Sequence, residues 1–279
     1  MHQFEHLSDR IIISCRGVDA QKFLQGIMTN DVLQNFFYAA MLSPTGRFLF
    51  DFFVYQISPE HYLIDAASAI FLDRLLSYKL RNKIELSNVS NEYAVLYAAT
   101  KLDMMSNFYF FPDTRRKGMG IRCILPKTFL SDLDFGDHKQ GLYAKAKYDN
   151  TIPDGEVDMI SEKSFPLEFG LSELNGVSYT KGCYLGQENL ARTRHTGVIR
   201  KHVYKVIALD EEPLSLIAKG SDIVQKDCKV GIFCSGYNNL GIALIRSEDI
   251  DLKGTFTLCE KTILIEKAFW YSVGDQIYT

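Results

Sequence analysis

An α+β fold closed by a small all-β domain is what this sequence predicts, on three observations. Over the first two hundred residues strand-like and helix-like runs are mixed, and hairpin turns join them in place of a regular β–α alternation. Beyond residue 200 short strand-like runs recur between turn signals, with no helix-length period. The 279 residues are 47% hydrophobic and include 19 Phe and 15 Tyr, enough for a sizeable core with aromatics left to wall a pocket for a flat ligand.

The elements follow in order. Residues 10–15 (Arg-Ile-Ile-Ile-Ser-Cys) read as a buried strand. Asp19 is placed to cap a helix whose apolar residues Ala20, Phe23, Leu24, Ile27 and Met28 share one face, with Asn30-Asp31 ending it. Residues 39–42 and 48–57 are strands joined by the turn Ser43-Pro44-Thr45-Gly46, a hairpin. Asp51 stands alone among aromatics in the second of these, and alternation puts it on the solvent face of a half-exposed strand. Residues 61–65 form another strand. Ser68 is placed to cap a helix that groups Phe71, Leu72, Leu75 and Leu76. Strands follow at 93–97 and 120–125, while 107–118 and 135–155 read as loops. Later strands are expected at 202–209, 229–234, 239–246, 255–258 and 262–266, arranged as a small closed barrel or sandwich. The boundary falls near residue 200, giving regions 1–199 (two intertwined subdomains) and 200–279.

Two stretches break these patterns. Residues 179–192 pack two glycines, a cysteine, a lysine, a Gln-Glu pair and an arginine into one run that no hydrophobic period explains, which points to chemistry or binding. Gly182 and Gly186 permit a turn, and residues 187–194 are good helix formers. Cys183 therefore stands at or just before a helix N-terminus next to Lys181, a setting that favours a thiolate; a small cysteine filling a tight turn is the plainer alternative. Earlier, Glu168 lies between apolar neighbours and precedes Gly170 by two, an acid costly to bury without a partner.

Charge and cysteine usage narrow the function. The 31 Lys and Arg against 34 Asp and Glu give net charge −3. Lys181, Arg192, Arg194, Arg200 and Lys201 nevertheless crowd into twenty-one residues against Glu188 alone. That patch suits an anionic small ligand, although Arg200 and Lys201 read as a solvated face, and no basic stripe suggests nucleic acid. The six cysteines (Cys15, Cys123, Cys183, Cys228, Cys234, Cys259) are scattered without a Cys-x-x-Cys pair. A reducing compartment is expected, with no zinc or iron–sulfur ligand set and no permanent metal. No apolar run reaches membrane-span length, so no membrane association is expected. Residues 1–6 have neither the basic start and apolar core of a signal peptide nor an Arg-rich transit pattern. The expected location is the bacterial cytoplasm, or the mitochondrial matrix if the chain is organellar.

Lys181-Gly182-Cys183-Tyr184-Leu185-Gly186-Gln187-Glu188, continuing to Ala191-Arg192-Thr193, resembles the signature of the YgfZ family, folate-binding proteins related to the T-protein (aminomethyltransferase) of the glycine cleavage system. Leu174-Asn175-Gly176-Val177-Ser178-Tyr179 fits as well. So do residues 17–26 with Thr29-Asn30-Asp31, and Ser43-Pro44-Thr45-Gly46-Arg47-Phe48. The resemblance implies a T-protein-like (GcvT-like) fold with a C-terminal barrel, and tetrahydrofolate held in a central cleft. It gives Glu168 the role of accepting from the pterin amino group and ring N–H, and places Asp51 at the same ligand. Tyr184, Gln187, Glu188 and Arg192 join them as binding candidates.

The same resemblance implies work in maturing or repairing iron–sulfur clusters, with Cys183 as a reactive thiol assisted by Lys181. Transient partners are then cluster carriers or client proteins. The T-protein carries aspartate and arginine where this chain has Cys183 and Gln187. Its catalytic aspartate has no secure counterpart either, since Asp65 and Asp73 are the local acids. A folate-dependent one-carbon transferase is thus the alternative reading, and a cysteine hydrolase with His195 as base a remote one, lacking an orienting acid.

Overall fold

The computed structural model describes residues 4–99, 109–133, 141–197, 199–248 and 250–271. They divide into two compact units, the described residues within 1–45, 49–143 and 174–187 forming the first and those within 46–48, 144–173 and 188–279 the second.

The first unit is built from β1 (Phe4–His6), β2 (Ile11–Arg16), α1 (Ala20–Ile27), β3 (Phe36–Leu42), β4 (Phe48–Ser58), β5 (His61–Ala66), α2 (Ile70–Lys79), β6 (Glu85–Asn88), β7 (Tyr93–Ala98), β8 (Tyr109–Pro112) and β9 (Ile121–Pro126). Two sheets result, ordered β3-β4-β5-β2-β6 and β1-β7-β9-β8. Ile13, Phe52, Val54 and Ile64 from the larger sheet pack with Phe23 and Leu24 of α1 and Phe71 and Leu75 of α2 in one buried cluster. The opposite face of β4 is covered as well: Phe36 stacks on Phe53 and on Phe111, with centroids 5.7 and 4.8 Å apart.

A strand covered on both faces cannot obey the solvent-alternation rule. Asp51 is accordingly buried (7% exposed), and its carboxylate accepts a 2.8 Å hydrogen bond from the Tyr38 hydroxyl, so the expected solvent face is corrected. Two expected caps differ too. Asp19 occupies the N-cap position of α1 without capping it, because its carboxylate accepts from the Lys83 amide at 2.7 Å. The N-cap residue of α2 is Ala69 instead of Ser68, and Leu76 is 44% exposed.

Within the stretches read as loops, β8 adds an edge strand. Helix α3 (Leu142–Asn150) also falls there, and α4 (Gly155–Asp158) begins at the last residue of the second stretch; residues 107–108 and 135–140 of those stretches lie outside the described residues. The sequence of α3, Leu-Tyr-Ala-Lys-Ala-Lys-Tyr-Asp-Asn, has no apolar stripe for periodicity to detect. It is held instead by the buried Lys147 ammonium, 2.8 Å from the Asp158 carboxylate, and by Trp270, whose ring N–H donates to the Asn150 carbonyl.

The second unit continues through a 3₁₀ turn (Pro166–Phe169) and α5 (Gln187–Thr196) into β10 (Lys201–Ala208), β11 (Asp222–Gln225), β12 (Cys228–Tyr237), β13 (Leu240–Arg246), β14 (Phe256–Leu258) and β15 (Lys261–Lys267). These six strands close into a barrel in the order β10-β13-β12-β11-β14-β15. Closure leaves no free edge, and Val206, Phe233, Ile245 and Ile263 fill the interior. β11 went unread because its four residues begin in an expected turn and carry a bulge at Ile223/Val224.

Candidate functional site

In the first unit the stretch around Cys183 is pinned by backbone chemistry from both directions. Upstream, the Thr29 hydroxyl donates to the Gly176 carbonyl at 2.6 Å, the Ser178 amide donates to the Thr29 carbonyl at 3.0 Å, and the Asn30 side-chain amide reaches the Asn175 carbonyl at 2.7 Å. Downstream, the Leu185 amide donates to the Gly26 carbonyl at 3.0 Å. The Gln187 side-chain oxygen accepts from the Tyr184 amide at 3.1 Å and closes the turn in which Gly186 has φ 80°. Gly182 has open space where a Cβ would be, and Cys183 is exposed.

Lys181 does not direct its donors at the thiol. All three N–H groups go to main-chain carbonyls, of Gln25 (2.8 Å), Met28 (2.6 Å) and Asn30 (2.9 Å), while the Tyr184 ring lies 4.9 Å from the ammonium. Burial lowers the Lys181 pKa to about 8, with Asp31 opposing. Of the other cysteines, Cys15 and Cys123 are buried thiols pushed up to about 12 by desolvation, which makes them inert, and Cys234 is shifted the same way. Among the described residues no group of three His, Cys, Asp or Glu is arranged to hold a metal ion.

Glu168 belongs to the second unit, in the 3₁₀ turn Pro166–Phe169. Gly170 ends that turn at φ 73°, and a Cβ there would stand 2.3 Å from the Trp270 ring, so the glycine two residues after Glu168 is demanded by both backbone and packing. Gly170→Ala should therefore destabilise the protein by about 2–5 kcal/mol, from left-handed strain plus overpacking. A thermal or urea melt with an unchanged midpoint would refute that.

The half-buried Glu168 side chain lines a pocket of about 180 Å³ with Gly46, Phe165, Leu167, Leu190, Asn189 and Arg200. Burial raises the Glu168 pKa above the ordinary glutamate value, and the charges of Lys201 and Arg47 restrain the rise. The Arg47 guanidinium stacks 3.3 Å above the Phe165 ring and donates to the Lys163 carbonyl at 2.8 Å. The pocket is thus apolar-walled, with one carboxylate inside and cations around it.

The remaining candidates are dispersed. Glu188 and Arg192 are exposed on α5, where Arg192 donates to the Asn189 side chain at 2.6 Å. Asp73 is exposed on α2. Asp65 is fully buried between Arg10 and Arg122; desolvation pushes its pKa up, but the two guanidiniums outweigh this and hold it below the ordinary aspartate range. A carboxylate so held is a poor proton acceptor. The sequence alone did not pick out Arg47 or Phe165 as pocket residues, and it put Arg200, which lines the pocket, on a solvated face. The available signal was an arginine directly after the Pro-Thr-Gly turn, one residue ahead of the aromatic-rich strand β4.

Residues 7–99 match the GCVT N-terminal domain family, and residues 200–272 match the CAF17 C-terminal β-barrel domain. The crystal structure of the glycine cleavage system aminomethyltransferase T from Bartonella henselae superposes with a TM-score of 0.75 over 97% of this chain and 86% of that one. At 12% identity it establishes the GcvT-like fold alone. The mitochondrial iron–sulfur cluster assembly factor IBA57 of Mus musculus is 32% identical over 88% of this chain and 77% of its own length. Its Homo sapiens counterpart is 31% identical over 88% and 77%. The chain belongs to the IBA57 family of iron–sulfur cluster assembly factors.

Proposed function

We propose that this protein is a tetrahydrofolate-binding accessory factor in iron–sulfur cluster assembly or repair, and that Cys183 is its working thiol. The observation that carries the reading is an exposed cysteine on a span fastened at Lys181 and at Leu185. Accessible sulfur on fixed backbone is what ligating iron, carrying sulfur or exchanging with a partner thiol each requires. Iron–sulfur clusters take about four cysteine ligands. One thiol cannot supply them, so the cluster is cargo shared with a carrier or client protein, and contact with that partner is transient. The relatives' mitochondrial naming supports the matrix as its compartment, and no helix among the described residues is long and apolar enough to cross a membrane.

The folate part rests on the Glu168 pocket. A half-buried carboxylate in an apolar wall matches the adjacent amino and ring N–H donors of a reduced pterin. At about 180 Å³ the pocket is below the ~300–1,000 Å³ of typical small-molecule sites. It suits the ring end of the ligand only, with the glutamate tail outside and cations such as Arg200 at the rim. When bound, the cofactor would supply one-carbon chemistry; the chain's own residues bind and orient it.

Cys183→Ser should leave tetrahydrofolate binding unchanged by calorimetry and fail to restore cluster-dependent enzyme activity in a deletion strain. Full restoration would remove Cys183 from the mechanism. A one-carbon transferase needs an acid to manage the amine proton, and Asp65 is committed to Arg10 and Arg122. Sustained turnover of a methylamine donor by the pure protein would nonetheless establish that activity.

A further inference from the structure

Helix α1 is short, and its last carbonyls have no intrahelical partners. Leu24 O is met by the Met28 amide, whereas Gln25 O and Gly26 O are met from 156 and 159 residues away in sequence, by the Lys181 ammonium and the Leu185 amide. The loop carrying Cys183 therefore serves as the C-terminal cap of α1. A cation at this end also answers the negative pole of the helix. Lys181 goes further than a cap, because Met28 O and Asn30 O converge on the same nitrogen at 2.6 and 2.9 Å. Three carbonyl oxygens around one centre at these distances form a cage for a monovalent cation, filled here by a tethered ammonium.

We propose that Lys181 is a positioning residue: its ammonium occupies a three-carbonyl cage at the end of α1 and thereby fixes the span from which Cys183 projects. This rests on the reading of Cys183 as the working thiol, yet it concerns only how that thiol is held. Between the two fastened residues, a Cβ at Gly182 would meet nothing within 4 Å and Cys183 is exposed. With the Lys181 anchor gone, the span loses one of the two fastenings that flank Cys183, and Gly182 can swing. An arginine keeps the charge but its planar fork cannot direct three donors from one atom, so it should rescue only partly.

The test uses the full chain, with Lys181→Met, Lys181→Arg and Lys181→Ala, the last with and without n-propylammonium, which replaces the deleted atoms. Two readouts are followed: hydrogen exchange of the Leu185 amide, and the alkylation rate of Cys183 resolved by peptide mapping. Exposed Cys228 and Cys259 serve as internal controls. Expected are at least a tenfold rise in Leu185 exchange and a changed Cys183 rate in the Met and Ala variants, with both control cysteines unmoved. The Arg variant should fall between these and wild type. Propylammonium should reverse the Ala variant in a saturable way and leave the Met variant unaffected, since its side chain already occupies the space of the lysine stem. If the Met variant fails to fold, the Ala variant prepared in propylammonium and then dialysed gives the same comparison. Wild-type exchange and alkylation in the Met or Ala variant, or an amine response equal in wild type and Ala, would overturn the proposal. Neither readout involves iron, so failure of the Cys183→Ser test in the deletion strain leaves this result standing, and the reverse holds.

Discussion

Asp65→Asn is expected to lower the unfolding free energy by roughly 3–5 kcal/mol, the cost of stranding a buried charge by deleting its partner. Asp65 is 0% exposed and takes Arg10 on one carboxylate oxygen and Arg122 on the other, at 2.7 Å for Arg122. Arg10 is partly open and can find water, but Arg122 is 1% exposed and stacked over the Phe53 ring at 4.1 Å. An asparagine keeps the shape and removes the charge, leaving that guanidinium uncompensated. Against a total of about 5–15 kcal/mol for an ordinary domain, the loss raises the unfolded population roughly 10²–10³-fold. Adding Arg122→Met should recover much of it, because it removes the buried guanidinium that Asp65→Asn leaves without a counter-charge. The pH dependence has a fixed sign. Asp65 has a folded pKa below its unfolded value of 3.8, so its contribution is complete above that value and disappears as pH falls through the lowered one. Wild type should hold at pH 5, and Asp65→Asn should be uniformly weaker there. Urea melts showing a loss under about 1 kcal/mol would mean that water reaches Arg122. A variant of full stability with impaired function would instead restore Asp65 as a chemical group.

What the sequence made legible follows from which interactions are local. Helix α1, the hairpin of β3 and β4, and five barrel strands announce themselves through periodicity and turns, which depend on neighbours along the chain. Asp51 and α3 do not. The burial of Asp51 is decided by Phe36, Phe53 and Phe111 covering a face that alternation assigns to water, and α3 is held by one buried lysine and a distant tryptophan. Cys183 and Glu168 stood out because each breaks its local pattern. The role of Lys181 was invisible for the opposite reason: a lysine next to a cysteine suggests an electrostatic pair, and only the fold shows three carbonyls more than 150 residues away in sequence using all its donors. Gly170 was visible as a glycine, but the ring that requires it comes from residue 270.

On the proposed folate-binding function, Glu168→Gln should weaken tetrahydrofolate binding at neutral pH by a factor of about 10–100 and remove its acid dependence. A carboxylate accepts from both pterin donors, whereas a glutamine oxygen can accept from one and turns an N–H toward the other. Losing one charge-assisted bond costs about 1.5–3 kcal/mol, which is the stated factor at 1.4 kcal/mol per decade. Burial has raised the Glu168 pKa above 4.5, so in the free protein this acid takes up its proton at a higher pH than an ordinary glutamate. Only the ionised form accepts both donors. Wild-type affinity should therefore fall as pH drops through the raised value, while the Gln variant stays flat. Stability runs the other way. The folded state binds more protons than the unfolded one between 4.5 and the raised value, so the ligand-free wild type loses stability as pH rises through that window. Glu168→Gln should thus leave the empty protein as stable as wild type or slightly more so at neutral pH while it loses ligand. Calorimetric titration at two pH values with a parallel melt separates the outcomes. Equal affinity of both proteins at neutral pH would remove Glu168 from the proposed pterin site, and reduced affinity together with reduced stability would make Glu168 a packing residue. Weaker binding on an equally stable scaffold is the signature of a carboxylate held in apolar surroundings for a ligand.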